Sequence, residues 1–367
     1  MLIEQENNGA RFRDHGQQAD LLTILDTNGF NTIRLRLWVN PFDLDTDEPF
    51  LGGTNDIGAT IALGLRAKAA GMKIILDFHY SDFWADPKKQ SKPRAWAQLA
   101  GQDLEEAVYS HTHAALTALA DHGIRPDYVQ VGNEITNGML WPDGRTTQFI
   151  WEEQRFAEHS ASDHAAGFDN LARLLRRGCD ATREVCPEAK IILHLDNGGS
   201  NLLYRVWFDE ISARKIDFDV IGLSYYPFWH GTLEQLEANL QDLASRYKKD
   251  LLVVETGYPY RMTGRDGEHV VFGDTSPMLE GFPVSPEGQQ AFLMELAAVV
   301  RRTPEGRGIG IVYWEPQWYP VDGVSWASGA GMAYGDDVCA EGNIWANLVL
   351  FDFDGNALPG LAAFGEM

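Results

Sequence analysis

Seven short apolar runs alternate with longer segments in which apolar residues recur at helical spacing. Most of the runs are continuous rather than alternating, which is typical of parallel strands buried on both faces. Repeated strand–helix units without a break in composition predict an α/β protein with one domain over residues 1–367. The predicted strands are Thr32–Trp38, Lys73–Tyr80, Tyr128–Glu134, Lys190–Asp196, Asp219–Tyr226, Leu251–Glu255 and Ile309–Glu315.

The number of predicted strands is one short of a closed (β/α)8 TIM barrel. A helix predicted over Gln17–Asn28 precedes the first strand, so a further strand is expected before that helix. Residues 1–14 are polar and contain the turn signal Asn7-Asn8-Gly9, which does not suit a buried strand. We therefore expect an N-terminally truncated barrel that lacks its first β-strand and has two open sheet edges, as an incomplete gene model would give.

Composition excludes several classes of protein. The 367 residues carry a formal net charge of −23, which argues against a nucleic-acid partner because phosphate contacts need clustered Lys and Arg. No stretch approaches the roughly 18 apolar residues of a membrane helix, and the first residues do not form a signal peptide. The cysteines, Cys179, Cys186 and Cys339, are odd in number and lack metal-type spacing, so no disulfide framework or zinc site is predicted.

Every predicted strand ends in polar or aromatic residues although its middle is apolar. The carboxyl ends of barrel strands meet at one mouth, so these side chains predict a lined pocket there. In strand order they are Arg34, Arg36 and Trp38; Asp77, His79 and Tyr80; Asn133 and Glu134; His194 and Asp196; Tyr225 and Tyr226; Glu255; and Trp314 and Glu315.

Two carboxylates in this set follow strongly apolar runs. Glu134 stands beside Asn133, and Glu255 ends the run Leu251-Leu252-Val253-Val254. Glycoside hydrolysis needs two carboxyl groups that flank the scissile bond. Either glutamate alone would suit a salt bridge to a nearby arginine, but two on facing strands favour catalysis.

The segment GNEI at 132–135 is followed by GMLWP at 138–142. This pair is similar to the acid/base motif of glycoside hydrolase family 53, the endo-β-1,4-galactanases. Similar blocks follow in family order to the end of the chain. They are RLRLW (34–38), DFHYSDFWADP (77–87), HLDNGG (194–199), GLSYYPFWHGTL (222–233), VVETGYPY (253–260), YWEP (313–316) and LFDFDGNALP (350–359).

The resemblance implies a role for each matching residue. Glu134 would be the general acid/base, Glu255 the nucleophile, and Asn133 a ligand of the sugar 2-hydroxyl. Either Arg34 or Arg36 would lie beside the nucleophile, and we expect Arg36. The remaining residues would bind substrate: His79, Asp82, His194, Tyr225 and Trp314 at the central subsites, with Trp84 and Trp229 stacking on neighbouring sugars.

The activity implied is retaining endo-hydrolysis of β-1,4-galactan in type I arabinogalactan, a pectic polysaccharide, without a cofactor. Family members are usually exported, so the complete protein is expected to be secreted, and a monomer is expected. Some bacterial members bind calcium between the loops that follow strands seven and eight of the complete barrel. Here Asp266, Glu268, His269 and Asp274 are available, but Ala346 stands at a partner aspartate position, so no metal is predicted.

Two alternatives remain open at this level. A β-mannanase or cellulase of the same clan would also carry both glutamates, although the blocks HYSDFWADP and SYYPFWHG follow the galactanase pattern. A barrel that binds sugar without cleaving it is the second alternative, and the presence of both glutamates argues against it.

Overall fold

The computed structural model describes residues 1–146, 161–273, 276–336 and 341–366. Its main sheet has seven parallel strands in the order β7-β6-β5-β4-β3-β2-β1, curled into an open barrel. The predicted strands and the (β/α)8-type architecture are confirmed. The strands are β1 (Thr32–Leu37), β2 (Lys73–Phe78), β3 (Tyr128–Val131), β4 (Lys190–Leu195), β5 (Val220–Tyr225), β6 (Asp250–Thr256) and β7 (Gly308–Tyr313).

Helices cover the outside of the sheet. The α-helices are α1 (Leu2–Asn7), α2 (Leu21–Thr27), α3 (Ile57–Ala69), α4 (Gly101–Asp121), α5 (Ala161–Val185), α6 (Asn201–Ala213), α7 (Leu233–Tyr247), α8 (Pro286–Arg301), α9 (Gly329–Gly335) and α10 (Pro359–Ala362). Short antiparallel hairpins pair Phe12–Asp14 with Gln17–Ala19 and Gly138–Met139 with Gly144–Arg145. No helix in the described ranges combines the length and apolar character needed to cross a lipid bilayer.

The helix predicted over Gln17–Asn28 begins later than expected. Residues Gln17–Ala19 form a strand of the first hairpin, and the helix starts at Leu21. Asp20 accepts hydrogen bonds from the backbone N–H groups of Leu22 and Thr23, which caps the helix start. The local hairpin and this cap therefore override the helical pattern of the preceding residues.

The barrel interior has an apolar floor beneath a polar layer. The floor consists of Ile75, Ile192, Val220, Leu252 and Val254. Side chains two or four residues further along the same strands point the same way, because side chains alternate across a strand. They form the polar layer, whose members include Asp77, His194 and Ser224 and which lies directly under the barrel mouth.

The sheet has an open seam between its two edge strands. Among the described residues no ladder joins β1 to β7, and a cavity of about 140 Å³ lies between them. Residues of both strands line this cavity, and Leu21, Leu22 and Leu25 of α2 cover it. We define this gap as the seam; that an eighth strand belongs in it stays a prediction.

Candidate active site

A cleft of about 630 Å³ lies at the carboxyl ends of the strands. Its walls combine carboxylates, an amide and tryptophan rings, which suits a ligand with hydroxyl groups and apolar faces. Eight of the eleven predicted site residues line it: Arg36, His79, Trp84, Asn133, Glu134, Trp229, Glu255 and Trp314.

Glu255 is buried at the end of β6, where a bulge turns its side chain into the cleft. The register between β6 and β5 shifts between Val253 and Glu255, so that Glu255 lies opposite Ser224. Arg34 Nη1 donates to Glu255 Oε1 at 2.7 Å, and the Tyr226 hydroxyl donates to Oε2 at 3.2 Å. These two donors fix the orientation of the carboxylate.

The arginine beside Glu255 is Arg34, so the expectation of Arg36 was wrong. Arg36 instead forms an ion pair with Glu315, and its guanidinium lies over the Trp84 ring, 4.5 Å from the centroid. Both arginines project from the same face of β1, and alternation along the strand does not distinguish them. Arg34 is two residues deeper and also pairs with a carboxylate of the polar layer, Asp77 Oδ2, at 2.9 Å.

Glu134 follows β3 in an uncommon backbone conformation. Its φ of 45° and ψ of 51° lie in the left-handed region, which few non-glycine residues occupy. The Ser224 hydroxyl donates to Glu134 Oε1 at 2.6 Å. Burial, followed by the negative charges of Glu255 and Asp196, raises the pKa of Glu134 well above its ordinary value. Glu134 therefore holds a proton at a pH where an exposed glutamate has lost it.

The amide of Asn133 is held in one orientation. Its Oδ1 accepts from Arg34 Nη2 at 2.7 Å, and its Nδ2 donates to the Ala85 carbonyl at 2.8 Å. His79 is fixed in a similar way, because Nδ1 accepts from the Ala85 N–H at 3.2 Å and Nε2 donates to Asp77 Oδ2 at 3.1 Å. Both side chains therefore line the cleft in fixed orientations.

Asp82 was expected in the cleft, and the structure places it elsewhere. It is buried, and its carboxylate accepts from the backbone N–H groups of Asn40 and Arg94 at 3.0 and 2.9 Å, and from Arg94 Nε at 3.0 Å. These contacts tie together the loops that follow β1 and β2. Asp82 is thus a structural residue of the barrel mouth.

Tyr225 and His194 also lie outside the cleft lining. Tyr225 points away from the barrel interior, and its hydroxyl donates to the Gly231 carbonyl at 2.9 Å. The tyrosine that reaches the cleft is the next residue, Tyr226, which follows the end of β5. His194 lies beneath the cleft, where its Nδ1 accepts from the Glu134 N–H at 3.3 Å. His194 therefore contacts the backbone of Glu134 and does not line the space that a ligand would fill.

Replacing Asp82 with alanine is expected to weaken folding and leave ligand binding unchanged. Loss of the carboxylate leaves Arg94 half-buried without its charged partner, which costs about 3 kcal/mol. Urea denaturation measures the free energy of unfolding, and KM reports on the cleft. The matched control, Asp180→Ala at an exposed aspartate of α5, is expected to change stability by less than about 0.5 kcal/mol. A raised KM with unchanged stability would show instead that Asp82 contributes to ligand binding in the cleft.

Comparison with known proteins identifies the family. The profile described as Glycosyl hydrolase family 53 matches residues 1–364. The chain belongs to glycosyl hydrolase family 53. This confirms the family resemblance found in the sequence, and it makes the protein a glycoside hydrolase.

The relatives of this family 53 chain span nearly its whole length. A Bacillus subtilis protein named Endo-beta-1,4-galactanase is 34% identical over 385 residues, covering 99% of this chain and 83% of the relative. The Ignisphaera aggregans GH53 catalytic domain is 38% identical, with a TM-score of 0.86 and coverage of 98% and 92%. A structure of two fungal beta-1,4-galactanases is 31% identical, with a TM-score of 0.77 and coverage of 100% and 97%.

Several residues that build the family 53 site were absent from the predicted set. Gln130 Oε1 accepts from Arg34 Nε at 3.1 Å, and its Nε2 donates to Asp77 Oδ1 at 2.6 Å. Ser224, likewise absent, donates to one candidate carboxylate; Tyr226, which donates to the other, was predicted to line the pocket but was given no role. Gln130 and Ser224 are fully buried polar residues inside apolar strands, and that conflict with the burial pattern is the signal that could have found them.

No metal centre is evident in the described part of this family 53 chain. There, no three side chains among His, Cys, Asp and Glu come close enough to hold an ion. Asp274 lies outside the described residues, as does Cys339, while Ala346 is buried and offers only a methyl group. The absence of a cofactor remains a prediction.

Proposed function

We propose that this family 53 protein is a retaining endo-β-1,4-galactanase acting on type I arabinogalactan. The Bacillus subtilis relative supports the substrate by its name, as does an Aspergillus niger protein named Arabinogalactan endo-beta-1,4-galactanase A, 35% identical over 328 residues and covering 86% of this chain and 83% of the relative. The observation that carries the proposal is that Glu134 and Glu255 line one cleft in different electrostatic environments.

The two environments suit different roles in catalysis. Glu134 keeps a proton because burial and neighbouring negative charges raise its pKa, as a general acid requires. Glu255 is held between Arg34 and Tyr226, whose phenol remains a donor because burial and the charge of Glu255 raise its pKa. Glu134 is thus the acid/base and Glu255 the nucleophile.

The reaction proceeds in two displacements. In the first, a Glu255 oxygen attacks the anomeric carbon while Glu134 transfers its proton to the departing glycosidic oxygen, which leaves a covalent galactosyl-enzyme. In the second, Glu134 takes a proton from water, the water oxygen attacks the anomeric carbon, and the bond to Glu255 breaks. The configuration at the anomeric carbon is retained, and both glutamates return to their starting states.

Other cleft residues would orient the polysaccharide. Asn133, held by Arg34 and the Ala85 carbonyl, is placed to hydrogen-bond the 2-hydroxyl of the reacting sugar. Trp229 is 47% exposed, whereas the other tryptophans that the structure describes are buried or partly buried, and its ring packs beside Trp345. An exposed indole offers a flat apolar face on which a sugar ring of the chain can stack.

The proposed enzyme acts on a polymer that is too large to enter a cell. We therefore propose that the complete protein works outside the cell. A monomer suffices for this activity, because residues of one chain supply both glutamates and the aromatic wall of the cleft.

The substrate and stereochemistry are tested together on the purified protein. Linear β-1,4-galactan is expected to yield new reducing ends, with rapid loss of polymer length on size exclusion as internal bonds break. Proton NMR during the first minutes is expected to show the β-anomer of the products before mutarotation.

The controls are β-mannan and cellulose under the same conditions. Faster cleavage of either polymer would support the alternative clan enzymes, and α-anomer formed first would exclude retention. Binding of galactan without any cleavage would support the sugar-binding barrel.

A further inference from the structure

A serine and a histidine beneath the cleft form a hydrogen-bonded chain that ends on the candidate acid. Ser224 is fully buried on β5, and its Oγ lies 2.6 Å from Glu134 Oε1 and 2.8 Å from His194 Nε2. The Ser224 hydroxyl has one proton and two neighbours. The direction of these hydrogen bonds therefore depends on which ring nitrogen of His194 carries the proton.

The surroundings of His194 Nδ1 favour one tautomer. The backbone N–H of Glu134 lies 3.3 Å from Nδ1, and Gln130 Nε2 lies 3.2 Å from it. The Gln130 amide is fixed in that orientation because Oε1 faces Arg34 Nε and Nε2 faces Asp77 Oδ1. Gln130 Nε2 also has the Gly132 carbonyl as an acceptor at 3.1 Å, so the donor that decides the tautomer is the backbone N–H of Glu134, to which Nδ1 presents its lone pair.

One contact would suit the opposite tautomer. Asn133 Oδ1 lies 3.0 Å from His194 Nδ1 and could accept a proton from it. That oxygen is already satisfied by Arg34 Nη2 at 2.7 Å, whereas the backbone N–H of Glu134 has no other acceptor among the described residues and is always a donor. Burial and the positive charge of Arg34 hold the pKa of His194 well below its ordinary value, so the ring is neutral. Its single proton is therefore on Nε2, directed at Ser224 Oγ.

We infer that Ser224 is a positioning residue that reserves Oε2 of Glu134 for the catalytic proton. Because Ser224 Oγ accepts from His194, its own proton points to Glu134 Oε1. An oxygen that faces a fixed donor is a poor site for a second proton, whether the carboxyl group is charged or neutral. The acid proton is left on Oε2. This inference rests on the proposed role of Glu134 as acid/base.

The same hydrogen bond also influences the titration of Glu134. The groups that act on Glu134 are the carboxylates Glu255, Asp196 and Asp86, which raise its pKa, and the Ser224 hydroxyl, which lowers it by stabilising the charged form. The Arg34 guanidinium and the Tyr226 phenol face the same group. Removing the Ser224 hydroxyl therefore raises the pKa of Glu134, so that the acid form persists to higher pH.

The test is Ser224→Ala assayed on two substrates with different leaving groups. On galactan, whose leaving group needs the acid, kcat/KM is expected to fall about 10- to 100-fold, as for loss of one hydrogen bond to a charged group. On 2,4-dinitrophenyl β-galactobioside, whose leaving group needs no proton, kcat/KM is expected to stay within about threefold. The alkaline limb of the galactan pH profile is expected to move to higher pH.

Three further variants distinguish positioning from folding. Thr256→Val removes another buried hydroxyl, which donates to the Tyr225 carbonyl at 2.7 Å without touching Glu134, and is expected to affect both substrates equally. Ser224→Thr restores the donor and is expected to recover galactan activity. Ser224→Cys has a shape close to that of serine but only a weak donor. If the alanine variant does not fold, the cysteine variant takes its place, and the same selective loss of activity on galactan is expected.

The outcomes separate this inference from the proposed function. Equal losses on both substrates, or an unmoved alkaline limb, would overturn the role of Ser224 while leaving the galactanase proposal intact. A wild-type protein that cleaves neither substrate would overturn both. Thermal unfolding of each variant shows whether the fold is retained.

Discussion

Glu255→Gln is expected to abolish galactan cleavage, lowering kcat by about 10⁴-fold or more. An amide nitrogen or oxygen cannot form the glycosyl ester that a carboxylate forms, so the first displacement stops. The fold should survive, because Arg34 keeps its second partner, Asp77, at 2.9 Å. Release of reducing ends measures the loss, and thermal unfolding checks the fold.

A second glutamate provides the matched control for this variant. Glu315 is also buried beyond a strand end and also pairs with an arginine, Arg36, yet it does not line the cleft. Glu315→Gln is expected to lower stability but to keep kcat within about tenfold. Mass spectrometry after treatment with a 2-fluoro galactobioside should find the sugar on Glu255 in the wild-type protein. Labelling of another residue would contradict the assignment.

Glu134→Gln is expected to separate the two displacements. Galactan cleavage should fall about 10³-fold, because its leaving group requires a proton. An activated dinitrophenyl galactobioside should still form the galactosyl-enzyme, which then accumulates because no base activates water. The variant should also lose the alkaline limb of the pH profile. That limb arises in the wild-type protein as Glu134 deprotonates through its raised pKa, which removes the acid.

Azide provides the control for the acid/base assignment. A small anion needs no base, so azide should restore turnover of the activated substrate by Glu134→Gln and yield the β-galactosyl azide. The Glu255→Gln variant should yield no β-galactosyl azide, since it forms no intermediate, and any azide product should be the α-anomer from direct displacement. The β-azide from both variants, or from neither, would contradict the division of roles.

The strands, and the position of both glutamates in the cleft, could be predicted because burial imposes a clear pattern on the sequence. Strands covered on two faces must be continuously apolar, and a carboxylate at the end of such a run conflicts with that pattern. The direction in which side chains point across a strand was harder to derive. Tyr225 and Tyr226 are both aromatic, and only the end of β5 decides which one reaches Glu255.

Pairings between strands could not be derived from one strand alone. Whether Arg34 or Arg36 meets Glu255 depends on the depth at which β6 places its bulge, a property of the register between strands. Asp82 resembles a cleft residue in sequence because it follows a strand end closely. Its actual partners, Asn40 and Arg94, come from loops whose paths no local pattern specifies.

The seam makes one side of the cleft mechanically weaker than the other. Among the described residues, each inner strand is held by two ladders, but β1 and β7 are held by one each, so they can separate from the sheet at lower free energy. Arg34 lies on β1, and Trp314 directly follows β7. The ion pair from Arg34 to Glu255 therefore does more than orient a carboxylate. It connects edge strand β1 to β6, the neighbour of the other edge strand, so that the protein depends on an ion pair of the candidate active site for part of its own rigidity.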